Sequence, residues 1–295
     1  MTSVPRGYLS EFQTPKTFAK RSFLGEHISM DSHQWIDAHC HLASKRFTHT
    51  LAAVIERSLR AGVTGWVQGG IEPSDWNRQK LLQIQYGKRF LTSFGLHPWW
   101  VASATAESLD SAMKVLETLL PHADAHGELG LDFGQEHDKN RLQQISAFRS
   151  QLGLAKQHRK PLILHIVRAH SEALEILKAL APFPKGGIVH SFTGSLEIAQ
   201  EYCKLGLLIS IGGSVTHKGY FALKKAIPFL SLPQLVVETD SPDQLPNLIG
   251  VDPQSPNEPK YLLEIAKVLG ELKGVTAEEV LNQSTDNLKK LFEIT

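Results

Sequence analysis

From residue 34 onward, short apolar runs with β-type composition alternate with longer stretches whose apolar residues recur at helical spacing. Strands are predicted near 34–38, 64–68, 91–96, 126–130, 161–165, 186–190, 207–211 and 234–238. Helices are predicted over 51–60, 76–86, 108–120, 140–158, 171–180, 196–204 and 219–229, with terminal helices over 261–269 and 277–292. Strand and helix units repeated in this way predict an α/β protein: a parallel (β/α)8 TIM barrel, a single domain with an additional C-terminal helix. Ser255-Pro256-Asn257-Glu258-Pro259 reads as a loop entering a helix, with polar caps and proline where the first helical N–H groups need no partner.

Residues 1–29 break the pattern. They mix Pro5, Gly7, Pro15, Lys16, Lys20, Arg21 and Gly25 without sustained periodicity and without the apolar segment of a secretory signal. The expected division is an arm or tail over 1–33 and the barrel domain over 34–295, with Met30 an alternative start. Lys and Arg together number 31 against 30 Asp and Glu, so no global basic field recruits nucleic acid and any such contact is local. Two cysteines, Cys40 and Cys203, exclude a disulfide-dense scaffold. No apolar run approaches the ~18 residues of a membrane span. The expectation is a cytoplasmic protein with no membrane association and no obligate protein partner.

Candidate ligands recur where the predicted strands end. His39 and His41 follow strand one, His97 strand three, Glu128 lies in strand four, and His165, His190 and Asp240 follow strands five, six and eight. In a barrel those carboxyl ends surround one mouth. Four histidines (His39, His41, His165, His190) and two carboxylates exceed what one tetrahedral ion takes but suit two divalent ions sharing a carboxylate. Glu128 is the expected bridge, with His39, His41 and Asp240 on one ion and His165 and His190 on the other; Glu128 and Asp240 are the candidate catalytic carboxylates. Mixed nitrogen and oxygen donors leave Mg, Mn and Zn open. Such a centre hydrolyses phosphate esters, carboxylic esters or amides.

Around this set, Asp37 and Glu238 are candidates for outer hydrogen bonds that orient ligands, with satisfaction in the core the competing reading. His97 is read as a substrate contact or an outer neighbour of the ligands; His170 and His217 are ordinary loop or core histidines unless brought to the mouth. Arg168 can fork a phosphate or form a surface ion pair. Ser191, opening Ser191-Phe192-Thr193-Gly194-Ser195, can hold an anion or cap a helix. Trp99 and Trp100 can stack on a base or pack in the core, though adjacent residues cannot both face inward along a strand.

The chain resembles the TatD family of metal-dependent deoxyribonucleases, within the amidohydrolase-like barrels. The likeness rests on Ile36-Asp37-Ala38-His39-Cys40-His41-Leu42, Gly95-Leu96-His97-Pro98, Gly127-Glu128-Leu129-Gly130-Leu131-Asp132-Phe133, Val189-His190-Ser191-Phe192-Thr193-Gly194-Ser195 and Val237-Glu238-Thr239-Asp240-Ser241-Pro242, with Asn257-Glu258-Pro259 a weaker match. Carried onto these positions, the family's ligands fall on His39, His41, Glu128, His165, His190 and Asp240. The spacing from His165 to Arg168 is one residue longer than the family's His-x-Arg. The resemblance implies cleavage of DNA from an end, with a free 3′ end expected. The alternatives are an amide or ester hydrolase (deacylase) using the same dinuclear site and a non-catalytic barrel.

Overall fold

In the computed structural model, residues 34–134 and 140–294 are described; the arm over 1–33 lies outside them. The strands are β1 (Trp35–Cys40), β2 (Val63–Gln68), β3 (Phe90–Leu91), β4 (Ser93–Phe94), β5 (Ala125–Asp132), β6 (Leu162–Val167), β7 (Gly187–Val189), β8 (Leu207–Ile211) and β9 (Leu235–Val237). All pairs are parallel, in the orders β1-β2-β3 and β4 to β9. β3 and β4 are one predicted strand interrupted at Thr92, whose N–H and hydroxyl both donate to Asp124, 2.7 and 2.9 Å away. Its first half pairs with β2 and its second with β5, so the chain itself joins the two sheets. The architecture is the expected (β/α)8 barrel.

Closure between β1 and β9 is made by other means than a continuous ladder. At the amino end, the last helix, α10 (Ala277–Phe292), lies along both strands. The Val237 N–H donates to Ser284 Oγ (2.9 Å) and the Ile36 N–H to Thr285 Oγ1 (3.2 Å). Midway, the Asp37 carboxylate accepts the Thr239 N–H at 2.9 Å. At the carboxyl end, the Asp240 N–H reaches the His39 carbonyl (2.9 Å) and the His41 N–H the Ser241 carbonyl (2.7 Å). These five backbone donors at the seam thus find acceptors, as burial demands.

The core has an outer layer between sheet and helices, which includes Trp66, Phe148, Leu164, Tyr202 and Ile265. Ile36, Ala38, Val67, Leu91, Ala125, Ile163, Ile188 and Val236 fill the barrel interior, and Leu288 of α10 packs with them. The helices present the faces that their spacing dictates. α1 (Leu51–Arg60) buries Val54, Ile55 and Ser58, while α10 buries Val280, Leu281, Ser284, Thr285 and Leu288. The interior is apolar at the amino ends, so the polar inward positions crowd at the carboxyl ends.

Candidate metal centre

Glu128 occupies its place because β5 is irregular. Ala125 points into the barrel, and strict alternation would turn Glu128 outward toward the helices. A register shift against β6 between Gly127 and Leu129 resets the phase: Leu129 and Leu131 join the outer layer and Glu128 faces inward. A shift in β1 between Asp37 and Cys40 likewise lets both His39 and His41 face the interior while Cys40 joins the outer layer. β6 and β7 need no such device: His165 and His190 continue the inward phase of Ile163 and Ile188.

The two oxygens of Glu128 face different donor sets. Oε1 lies 3.5 Å from His39 Nε2 and 3.2 Å from His41 Nε2; Asp240 Oδ1 lies 3.6 and 3.3 Å from the same nitrogens. Oε2 lies 3.5 Å from His165 Nδ1 and 2.9 Å from His190 Nε2. Ring nitrogens of neighbouring histidines also approach each other, His39 to His41 at 3.2 Å and His165 to His190 at 2.9 Å. Two atoms held at 2.0–2.2 Å by one tetrahedral ion stand about 3.3–3.6 Å apart. Octahedral bonds of 2.0–2.1 Å give about 2.8–3.0 Å. The first set has the former spacing and the second spans both. Glu128 Oε1 and Nδ1 of His39 and His190 are buried with no hydrogen-bond partner, so the central oxygen has an acceptor position that a cation satisfies. The donor chemistry and spacing fit two divalent ions, with all six expected ligands brought together.

Electrostatics agree with that polarity. Burial opposes charge on Glu128, but His39, His190 and His41 outweigh it and hold the carboxyl well below the usual range. Against the same burial, Asp240 is held at about 2 by His41, His190 and His39. Burial alone would lower His41, yet Glu128 and Asp240 push it up to about 9.

Four residues outside the ligand set fix its geometry. Asp132, missed in the sequence reading, accepts His165 Nε2–H (3.2 Å) and Trp99 Nε1–H (2.6 Å), which leaves His165 Nδ1 with its lone pair toward Glu128. Its inward phase two residues beyond Gly130 was the available signal. Gln244, also missed, donates its amide to Asp240 Oδ2 (2.5 Å) and is paired with Ser191 Oγ (2.7 Å). Glu238 lies one layer below, accepting the Ser191 N–H (2.6 Å) and the Ser210 hydroxyl (2.5 Å), with His190 Nδ1 3.7 Å away. Gly69 borders the first set: a Cβ there would stand 2.5 Å from Glu128 Oε1 and from His41 Cε1.

The other candidates divide. Asp37 ties β1 to Thr239 and to the His39 backbone rather than to a ligand ring, and burial pushes its carboxyl up to about 8 against those bonds. His97 caps α3 (Pro98–Ser103), its Nδ1 accepting the Trp99 N–H at 3.2 Å. The ring proton therefore sits on Nε2, which faces Glu128 Oε2 at 3.7 Å as a donor beside the ligand set. Burial, then His165, holds His97 neutral, far below its ordinary value. Arg168 is exposed on the loop after β6 with φ +53°. The Ser191 N–H and hydroxyl are both engaged within the protein. His170 binds Tyr202 and His217 the Leu245 carbonyl, away from the ligands.

A family model for TatD-related DNases matches residues 36–293. The chain belongs to the TatD-related DNase family. The metal-dependent hydrolase YjjV of Escherichia coli is 32% identical over 262 residues, covering 88% of this chain and 98% of its own. The crystal structure of that TatD homologue superposes with a TM-score of 0.79 at 31% identity, over 88% of this chain and 98% of the other. The 3′-5′ ssDNA/RNA exonuclease TatD of Erwinia billingiae is 30% identical over 260 residues, covering 88% and 98%. This TatD-family chain is a metal-dependent hydrolase, and the His, Glu and Asp side chains clustered at the barrel mouth are capable of coordinating divalent ions, matching a dinuclear site.

Proposed function

We propose that this protein trims single-stranded DNA, one nucleotide at a time, from a free 3′ end. The observation that carries the reading is the division of Glu128 between two donor sets at one barrel mouth, the arrangement for in-line displacement at a phosphodiester. The Erwinia relative, named for 3′-5′ ssDNA/RNA exonuclease activity, supports the polarity and the single strand. A formal charge of +1 suits capture of a strand terminus at a local mouth rather than tracking along a duplex through many phosphate contacts.

When bound, two divalent ions acidify water and neutralise charge developing on the phosphoryl oxygens. The protein's own groups do the rest. Glu128 stays anionic and fixes the spacing of the two donor sets. Asp240, with a side chain 9% exposed against 1% for Glu128, is the carboxylate assigned to take the proton of the water. The water oxygen attacks phosphorus as the bond to the 3′ oxygen of the penultimate nucleotide breaks, and the proton held by Asp240 passes to that oxygen. A nucleoside 5′-monophosphate and a strand with a new 3′-hydroxyl result. His97 Nε2–H and Arg168 are assigned to the phosphoryl oxygens.

The test is digestion of labelled linear single strands beside a covalently closed circle of the same sequence, with and without chelator. Stepwise shortening of the linear strand from its 3′ end, resistance of the circle and loss on chelation are expected. Equal attack on circle and linear strand overturns the exonuclease reading. Hydrolysis of acyl or lactone substrates alone would assign the same centre to a deacylase.

A further inference from the structure

The two adjacent tryptophans of α3 have opposite fates. Trp100 packs against the cluster of Trp76, Phe94 and Leu116. Trp99 remains 48% exposed although it is among the largest apolar side chains in the protein. It is nonetheless held: its indole N–H donates to Asp132 at 2.6 Å, and its ring stands edge-to-face with His97 at 4.8 Å and His165 at 5.8 Å. Asp132 also holds His165 Nε2, so one carboxylate fixes both the aromatic ring and a metal ligand. A half-open indole immobilised at its polar edge is a rigid platform that loses little side-chain entropy on binding.

We propose that Trp99 is the stacking platform for the base of the terminal nucleotide, the one released by hydrolysis. The inference rests on the exonuclease reading. A scissile phosphate held between the Glu128 donor sets has the leaving nucleotide's base within one sugar of it, and Trp99 is the exposed aromatic surface touching the ligand shell on the His165 side. Stacking uses the π-face that all bases share, so the platform selects a base-bearing end without selecting sequence. It also favours an unpaired end, because a paired terminal base must leave its stack before it reaches the indole.

The experiment compares two single strands identical except at the 3′-terminal residue, which is an ordinary nucleotide in one and a tetrahydrofuran abasic residue in the other. The readout is the ratio of kcat/KM for removing that residue. Wild-type enzyme should favour the ordinary end by about ten- to a hundred-fold, the loss typical of one base–aromatic stack. Trp99→Leu should bring the ratio close to one, so that the two perturbations do not add. Trp99→Phe, which keeps a ring but gives up the hydrogen bond to Asp132, should retain a ratio well above that of the Leu variant. A wild-type ratio near one overturns the platform while leaving the exonuclease reading intact, and needs no variant to fold. A Trp99→Leu ratio equal to wild type overturns it as well. Failure of the wild type to shorten either strand ends both readings together.

Discussion

Glu128→Gln keeps the size of the side chain and removes one negative charge from the point where both donor sets meet. Its amide group can leave an oxygen toward only one set, so the NH2 must face either His39 and His41, 3.5 and 3.2 Å from the present Oε1, or His165 and His190, 3.5 and 2.9 Å from Oε2. A donor aimed at ligand nitrogens is repulsive toward a cation as well. Even unit charges 4 Å apart contribute about 4 kcal/mol at an effective dielectric of 20. That is about a thousand-fold in affinity for the ion that loses its anionic ligand. Titration calorimetry on metal-stripped protein should show two equivalents bound by the wild type and no more than one at comparable affinity by the variant. Activity on a labelled linear strand should fall at least a thousand-fold at saturating metal, with circular dichroism unchanged. Two ions bound with wild-type affinity, or full turnover, would exclude a bridging role for Glu128.

Asp132→Asn removes the carboxylate that orients His165 and should weaken the His165–His190 set about 10- to 100-fold, read as the weaker of two calorimetric affinities. Gly69→Ala should lower metal affinity and activity without unfolding, because its Cβ would lie 2.5 Å from Glu128 Oε1 and His41 Cε1, both at the site itself. Metal affinity should rise with pH toward about 9: His41 binds metal only when neutral, and Glu128 and Asp240, against the effect of burial, keep it protonated below that value in the metal-free site. Calorimetry at pH 7 in buffers of different ionisation enthalpy should therefore show proton release on loading. Ser284→Ala leaves the buried Val237 N–H without its acceptor at the β1–β9 seam and should cost about 1–3 kcal/mol of stability, seen as a lower urea midpoint with activity retained.

The barrel was legible because its signal is repeated: each strand is short and apolar and each helix carries a stripe, so errors of a residue or two at the ends leave the topology intact. The convergence of the candidate ligands was legible because polar residues at strand ends are costly inside a barrel unless they meet. Glu128 shows the limit of periodicity. Alternation from Ala125 would have turned it outward, and only the bulge at Gly127, invisible in composition, aims it at the other ligands. The interruption of the third strand at Thr92 was hidden for a similar reason, since it depends on Asp124, far along the chain, taking the Thr92 N–H. Ser191 read as an anion site from its place before a helix, but its donors go to Glu238 and Gln244. Gln244 itself sits in an irregular loop, where no spacing announces that its amide will reach Asp240. In the last helix, Ser284 and Thr285 on the otherwise apolar buried face were a usable sign that this helix completes a sheet rather than merely covering one.

The proposed chemistry rests on two divalent ions that share Glu128. Anomalous diffraction from crystals soaked in Mn²⁺ tests it most directly. Two peaks about 3.5–4 Å apart are expected. One should be held by His39, His41 and Asp240 and the other by His165 and His190, with one Glu128 oxygen on each. A single peak, or two peaks of which one has no contact with Glu128, would rule out a dinuclear centre bridged by Glu128.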